Sequence, residues 1–373
     1  MRQLLINSFH CFALCCCFVA ALGVQGQGEK WESFRGGAAM TGVAGCTLPS
    51  APRQLWSYET GSAVTATAAI VEKTVYLCTQ AGIVLALNLE TGKVRWKFSG
   101  GAPISASPCV VNNALYVGDE SGKFFALNSA TGKVLWSHHT GDKIMSSATS
   151  ATGVVLVGSY DNNLYCFQAG TGKVKWMFKA DAQVHCAPCV ADGKVIIAGC
   201  DGLVRMINLT NGRQVAAATL QNTNFAASPA YAEGCVFVGS LTGEYLAIRT
   251  KDGQIQWRIN GAESYGDCYA GAALAGDAVI FATRGKKLLC VTRDTGRVVW
   301  EYTARSSIDS SPVLAGMVIF VGSDDGLLLG VRLDNGKVAW HFNAGAALKA
   351  SPAIAQGKLV IGTSDGAIYC FGR

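Results

Sequence analysis

Seven tryptophans spaced about forty residues apart, four short turn-bounded apolar runs inside each period, and an incomplete unit at either end of the repeat together predict an all-β fold. The expected architecture is an eight-bladed β-propeller of four-stranded antiparallel blades, closed by an N-terminal outer strand that completes the last blade. The column reads Trp56, Trp96, Trp136, Trp176, Ala216, Trp257, Trp300 and Trp340, which makes eight units. Only Trp31 falls outside it.

One period shows why the units are blades. Residues 104–139 read "ISASPCVV", "ALYVGD", "KFFALNS" and "KVLWSHH", separated by "NN", "ESG" and "ATG". Runs rich in β-branched and aromatic residues, each bounded by Asn, Asp, Ser or Gly, form a meander of four strands. Helical repeats of similar length are excluded because no unit carries apolar residues at three-four spacing over ten or more positions. The last unit stops at Arg373 after three strands, whereas "RQLWSYE" (53–59) has no partner strands before it. Pairing the two ends closes the ring and removes two exposed sheet edges.

Ahead of the repeat lies "MRQLLINSFHCFALCCCFVAALGVQGQ". A basic start, an apolar stretch and small residues near its end identify residues 1–26 as a secretory signal peptide, followed by a lead-in (27–51) and the propeller (52–373). The chain is thus expected to be exported, to the periplasm, the cell envelope or the medium. Val43-Ala44-Gly45-Cys46 has the form of a lipidation site, but it follows a polar segment and is read as chance. Fifteen cysteines fall to eleven once residues 1–26 are removed, an odd number that leaves at least one thiol unpaired. Cys109 matches Cys189, and Cys166, Cys290 and Cys370 share a column, as small buried residues interchangeable with Ala would. The formal charge is +6 with both signs interspersed, which excludes nucleic acid as a partner.

"ALNLETGKVRW" (86–96), "ALNSATGKVLW" (126–136), "CVTRDTGRVVW" (290–300) and "GVRLDNGKVAW" (330–340) resemble the repeat of the pyrroloquinoline-quinone (PQQ)-type propellers. That family includes quinoprotein dehydrogenases and the outer-membrane assembly lipoprotein of the Bam complex. The lead-in, "WESFRG" (31–36) then "TGVAG" (41–45), is similar to the segment before the first blade in secreted bacterial members. The resemblance implies that Trp56, Trp96, Trp136, Trp176, Trp257, Trp300 and Trp340 are structural plates packed flat on the neighbouring blade. Where the family has Asp, this chain has Asn88, Asn128, Gln168 or Asn208.

The resemblance also raises the question of a quinone enzyme, in which PQQ lies over a calcium ion with acidic ligands and adjacent cysteines. Residues 27–373 contain no adjacent cysteine pair and no acidic cluster with calcium-loop spacing. Asp119-Glu120 and Asp324-Asp325 occupy turns, where solvated acids are the ordinary reading. "HCAPC" (185–189) aligns with an inner strand, where residues three apart face opposite ways, so Cys186 and Cys189 diverge and do not form a redox or zinc pair. No catalytic residue, metal ligand or cofactor is therefore expected; PQQ with a divalent metal is the alternative.

Each inner strand carries a pair of small residues, such as Ala106-Ser107 and Ser310-Ser311, read as packing around a crowded axis. The position before each pair differs in every blade: Thr65, Ser105, Met145, His185, Ala226, Tyr269, Asp309 and Lys349. This ring is either a solvated rim without function or a binding mouth, with His185, Tyr269, Asp309 and Lys349 its candidate residues. The loop 260–268, "NGAESYGDC", breaks the period on the same face, where insertions in repeat arrays often bind partners. The two faces are expected to differ in charge, with Lys or Arg after Gly in six outer turns. The favoured function is a non-enzymatic envelope scaffold that binds proteins or peptides, as in outer-membrane assembly; the alternative is a quinoprotein-like enzyme using the channel mouth. Membrane association would come from a partner or from lipidation. At "NGRQVA" (211–216) the column lacks its plate, and a looser blade contact is expected there.

Overall fold

The computed structural model describes residues 30–373, so the signal-peptide reading of residues 1–26, with Cys11, Cys15, Cys16 and Cys17, lies outside the described residues. Eight four-stranded antiparallel sheets follow one another around an axis, and the inner strands touch in sequence until the eighth meets the first. Blades 1 to 7 occupy residues 69–99, 109–139, 149–179, 189–219, 230–260, 273–303 and 313–343. Blade 8 combines three C-terminal strands with Arg53–Glu59, which pairs along Ala367–Gly372. The expected closure is thus observed.

Alternation within each blade follows from two-sided burial. The second and third strands are sandwiched between neighbouring blades and read as continuous apolar runs, whereas outer strands such as Val94–Ser99 alternate between exposed and half-buried positions. One expectation is shortened. The inner run "ISASPCVV" is a strand only over Cys109–Val111, because Ser107 N–H bonds a neighbouring blade's hydroxyl and Pro108 has no N–H to give a ladder.

The turn before each outer strand explains the repeated phrase. Gly132 has φ 71°, and a methyl group there would lie 2.6 Å from the Trp96 ring of the preceding blade. Glycine is required both for the left-handed backbone and for the plate laid on it. The same plate donates its indole N–H across the joint: Trp96 to Ser129 O (2.8 Å), Trp136 to Ala169 O (2.9 Å), Trp257 to Arg293 O (2.8 Å). Asn88, Asn128 and Asn208 each accept two turn N–H groups through Oδ1, so the amide oxygen makes the turn contact that a carboxylate would.

At Ala216 the joint differs from the expected looseness. The next blade's turn moves onto the backbone, so that a methyl group at Gly253 would be 2.3 Å from Ala217 O. The missing plate is replaced by backbone approach.

The lead-in runs around the axis at one end of the channel. Main-chain bonds tie Trp31 to Ile70, Glu32 to Val110, Ala38 to Val190, Ala39 to Tyr231, Thr41 to Leu274, and Gly42 and Ala44 to Leu314, which engages six of the eight inner strands. Trp31 and Met40 are buried in the blade cores. Cys46 Sγ accepts from Gly357 N–H, so a cut before Cys46 would remove this whole clasp.

Candidate functional site

Thr65 lies five residues upstream of Ile70, in the irregular segment that leads into the inner strand. The eight variable positions, Thr65, Ser105, Met145, His185, Ala226, Tyr269, Asp309 and Lys349, converge on a single well of about 370 Å³, and Phe34 of the lead-in also lines it. The structure therefore brings together every residue of the ring read from the sequence, and with it all four candidates. Phe34 is the point at which the lead-in reaches the well.

Below the rim, the small residues do more than fill space. Thr67 N–H donates to Ser107 Oγ (3.0 Å), Ser107 N–H to Ser147 Oγ (2.9 Å), Gly271 N–H to Ser311 Oγ (3.0 Å), and Ser311 N–H to Ser351 Oγ (2.9 Å). Ser351 N–H returns to Thr67 Oγ1 (3.2 Å), and Ala187 N–H reaches Ser228 Oγ (2.9 Å). Buried amides that face the axis have no neighbour strand within their own blade, so hydroxyls of the next blade satisfy them. The pure packing role expected for these positions is corrected accordingly.

A second ring surrounds the first. Gln80, Glu120, Tyr160, Leu241, Arg284, Asp324 and Ser364 each donate a main-chain N–H to the loop two residues ahead of a rim position. Three sectors result. Gln80 Nε2 bridges Thr65 Oγ1 (3.0 Å) and Ser105 Oγ (2.9 Å), and Ser105 donates to Glu120 Oε1 (2.6 Å). Tyr160 OH bonds His185 Nδ1 (2.8 Å), with Lys143 Nζ 4.6 Å from the tyrosine centroid. Arg284 donates twice to Asp309 (2.7 and 2.9 Å) and stacks 3.6 Å from the Tyr269 centroid.

These contacts set the protonation states. Burial, then Lys143, hold the His185 imidazole below its ordinary value, so the ring is neutral near pH 7. The hydrogen bond to Asp309 raises Arg284, and burial, then Asp309, push the Asp324 carboxyl up. Asp119, expected to be a solvated turn acid, is fully buried; its Oδ1 accepts from Ser121 N–H, Ser121 Oγ and Lys123 N–H. The second ring escaped the sequence reading because it sits in turns that vary anyway. Its signal was the same column-by-column variety seen at the rim.

Cys186 and Cys189 serve different neighbours: Cys186 Sγ accepts from Ala198 N–H, whereas Cys189 lies 3.5 Å from Ala39 O. All eleven described cysteines are free, and burial pushes the thiols of Cys109, Cys186 and Cys268 up to about 12. Such thiols are unreactive at neutral pH.

The sequence matches the family described as "Outer membrane protein assembly factor BamB" over residues 48–153, 141–257 and 261–371. The chain belongs to this family. No curated protein sequence matches it. Among solved structures, BamB from Moraxella catarrhalis is 18% identical with a TM-score of 0.76, over 86% of this chain and all of that one. A quinohemoprotein alcohol dehydrogenase from Comamonas testosteroni is 13% identical with a TM-score of 0.81, over 93% of this chain and 81% of that one. The computationally designed Ika8 protein is 16% identical with a TM-score of 0.77, over 86% of this chain and all of that one. At these identities the likeness is one of fold.

In this BamB-family propeller, a quinone held over a divalent ion would need acidic ligands converging at the mouth. Among the described residues no three His, Cys, Asp or Glu side chains are placed to share a metal, and Asp309 is already taken by Arg284. A hard cation needs several converging oxygens.

Proposed function

We propose that this chain is a non-enzymatic, exported propeller of the cell envelope that binds protein partners through its mouth face, in the assembly of outer-membrane or other envelope proteins. The observation that carries this reading is the contrast within one ring: the blades repeat along most of their length, whereas the mouth carries side chains of eight kinds, with Thr65, Ser105, His185 and Asp309 hydrogen-bonded to the ring outside them. Arg284, held by Asp309, and the exposed Tyr269 stacked on it have the character of interface anchors. The 260–268 loop rises beside them, with Asp267 3.6 Å from Arg284. Rim loops of this kind suit an extended peptide or the edge of a folded partner.

Capture from envelope extracts tests the proposal. The wild-type chain should retain specific envelope proteins, a Y269A/R284A variant should lose them, and a K93A/K133A/K173A variant on the opposite face should keep them. Loss by the opposite-face variant alone would place the interface elsewhere. The same preparation titrated with PQQ and calcium should reduce no dye in the presence of alcohols or sugars; dye reduction would favour the quinoprotein reading instead.

A further inference from the structure

Beneath the rim lies a charge that the scaffold reading does not use. Arg35, in the turn of the lead-in, is fully buried with φ 62°, and its side chain is packed behind the lining of the well. Nη1 donates to Pro312 O (2.7 Å) and Nη2 to Ala272 O (2.6 Å), but among the described residues Nε has no partner and no carboxylate is paired with the guanidinium. Two glycines make room for it. A methyl group at Gly42 would be 1.9 Å from Nη2, and one at Gly271 would be 3.3 Å from Nε and 3.4 Å from Ser228 O. The guanidinium thus lies beside Ser228 and Ser311, which line the well.

A buried cation with an unfilled donor is costly unless an anion or water completes it. At the rim, Lys349 is exposed and makes neither a hydrogen bond nor an ion pair among the described residues, while Asp309 and Glu120 are engaged by Arg284 and Ser105. Across the ring, the Tyr160 hydroxyl and His185 Nδ1 share a hydrogen bond in which Nε2 takes no part. Asp324, next to Asp309 in the outer ring, is the acid that competes for Lys349. The other lining is apolar: Phe34, Met145 and Ala226.

We infer that the well binds a small organic acid, its carboxylate drawn to Lys349 and His185 at the rim with the unpaired charge of Arg35 buried behind the lining, and its carbon skeleton against Phe34, Met145 and Ala226. The donors call for an anion, and the apolar lining favours an organic acid over a fully hydrated inorganic ion. A volume of about 370 Å³ is at the small end of ligand sites, suited to a molecule of a few carbons. This ligand stands apart from the protein-binding role and does not depend on it.

Isothermal titration of the full chain with succinate is the test, with inorganic phosphate and chloride as comparison probes. Saturable one-site binding is expected, weakened about tenfold in each of K349M and H185Q, as loss of one charge-assisted bond requires. Because any change at Arg35 risks the clasp, the decision rests on K349M, which alters only an exposed rim side chain. Binding should also raise the imidazole pKa of His185 by NMR. No saturable heat up to about 10 mM, binding unchanged in K349M and H185Q, or phosphate binding as tightly as succinate would overturn the assignment.

Discussion

At the perimeter, one joint is built again and again: Trp56, Trp96, Trp136, Trp176, Trp257 and Trp300 each cover the turn glycine of the following blade and donate to one of its carbonyls. At the mouth, eight equivalent backbone positions carry eight different side chains around one well. Both regions obey the same eightfold geometry, so geometry does not account for the difference. Perimeter positions are confined between two sheets, where a single shape fills the gap; mouth positions open onto a cavity, where packing imposes no choice of residue. Uniformity marks what the fold needs, and variety marks what it leaves available.

Breaking the perimeter should cost most. Trp136→Ala removes a plate with partners on three sides, Tyr116, Phe124 and Phe167, and should destabilise by about 3 kcal/mol, near the lower end for large aromatic truncations, read as a lower urea midpoint. The fifth joint gives a sharper test: Ala216→Trp restores the repeat in sequence, yet the close approach of Gly253 to Ala217 O leaves no slot for the ring. It should therefore destabilise by about 2 kcal/mol through overpacking, and a stabilised variant would show that the joint is loose after all. Two turn glycines separate strain from contact. Gly153, with φ 79° and open space around it, should cost about 1 kcal/mol on change to Ala, whereas Gly132→Ala should cost more than twice that in the same unfolding assay because it also displaces Trp96.

The mouth should respond to pH and barely to truncation. His185 and His138 are both held below the ordinary value of 6.5, chiefly by burial. Below that value the unfolded chain takes up protons that the folded chain resists, so stability is complete above it and falls as pH drops through the folded-state pKa. The melting temperature should decline as pH falls below 6.5, and that of H185Q should decline less. Lys349→Met should change stability by less than about 0.5 kcal/mol, as for an exposed side chain without a partner; a larger loss would mean that the rim is structural.

Much of this architecture was legible in the residues. The tryptophan column, the turn punctuation and the split last unit contain the blade count and its closure, because each local signal repeats with the period of the fold. The rim ring was legible for the same reason: a known period makes equivalent positions comparable. Other features left no periodic trace. The path of the clasp depends on contacts between residues such as Gly42 and Leu314, far apart in sequence. The burial of Asp119 depends on its own turn folding back over Oδ1. The retreat of the fifth joint onto backbone is a response to an absent side chain, and an absent side chain has no pattern.

The sequence by itself therefore determined the repeat: four strands per unit, glycine turns, tryptophan plates, and which positions vary. Local propensity and burial on both faces suffice for that, since every blade solves the same problem. Only the tertiary structure decided that the varied positions share one well, that hydroxyls of neighbouring blades belt it, and that Arg35 is buried behind its lining. Those are consequences of ring closure, which brings residues from blades four apart to face one axis, a proximity that no stretch of chain encodes alone.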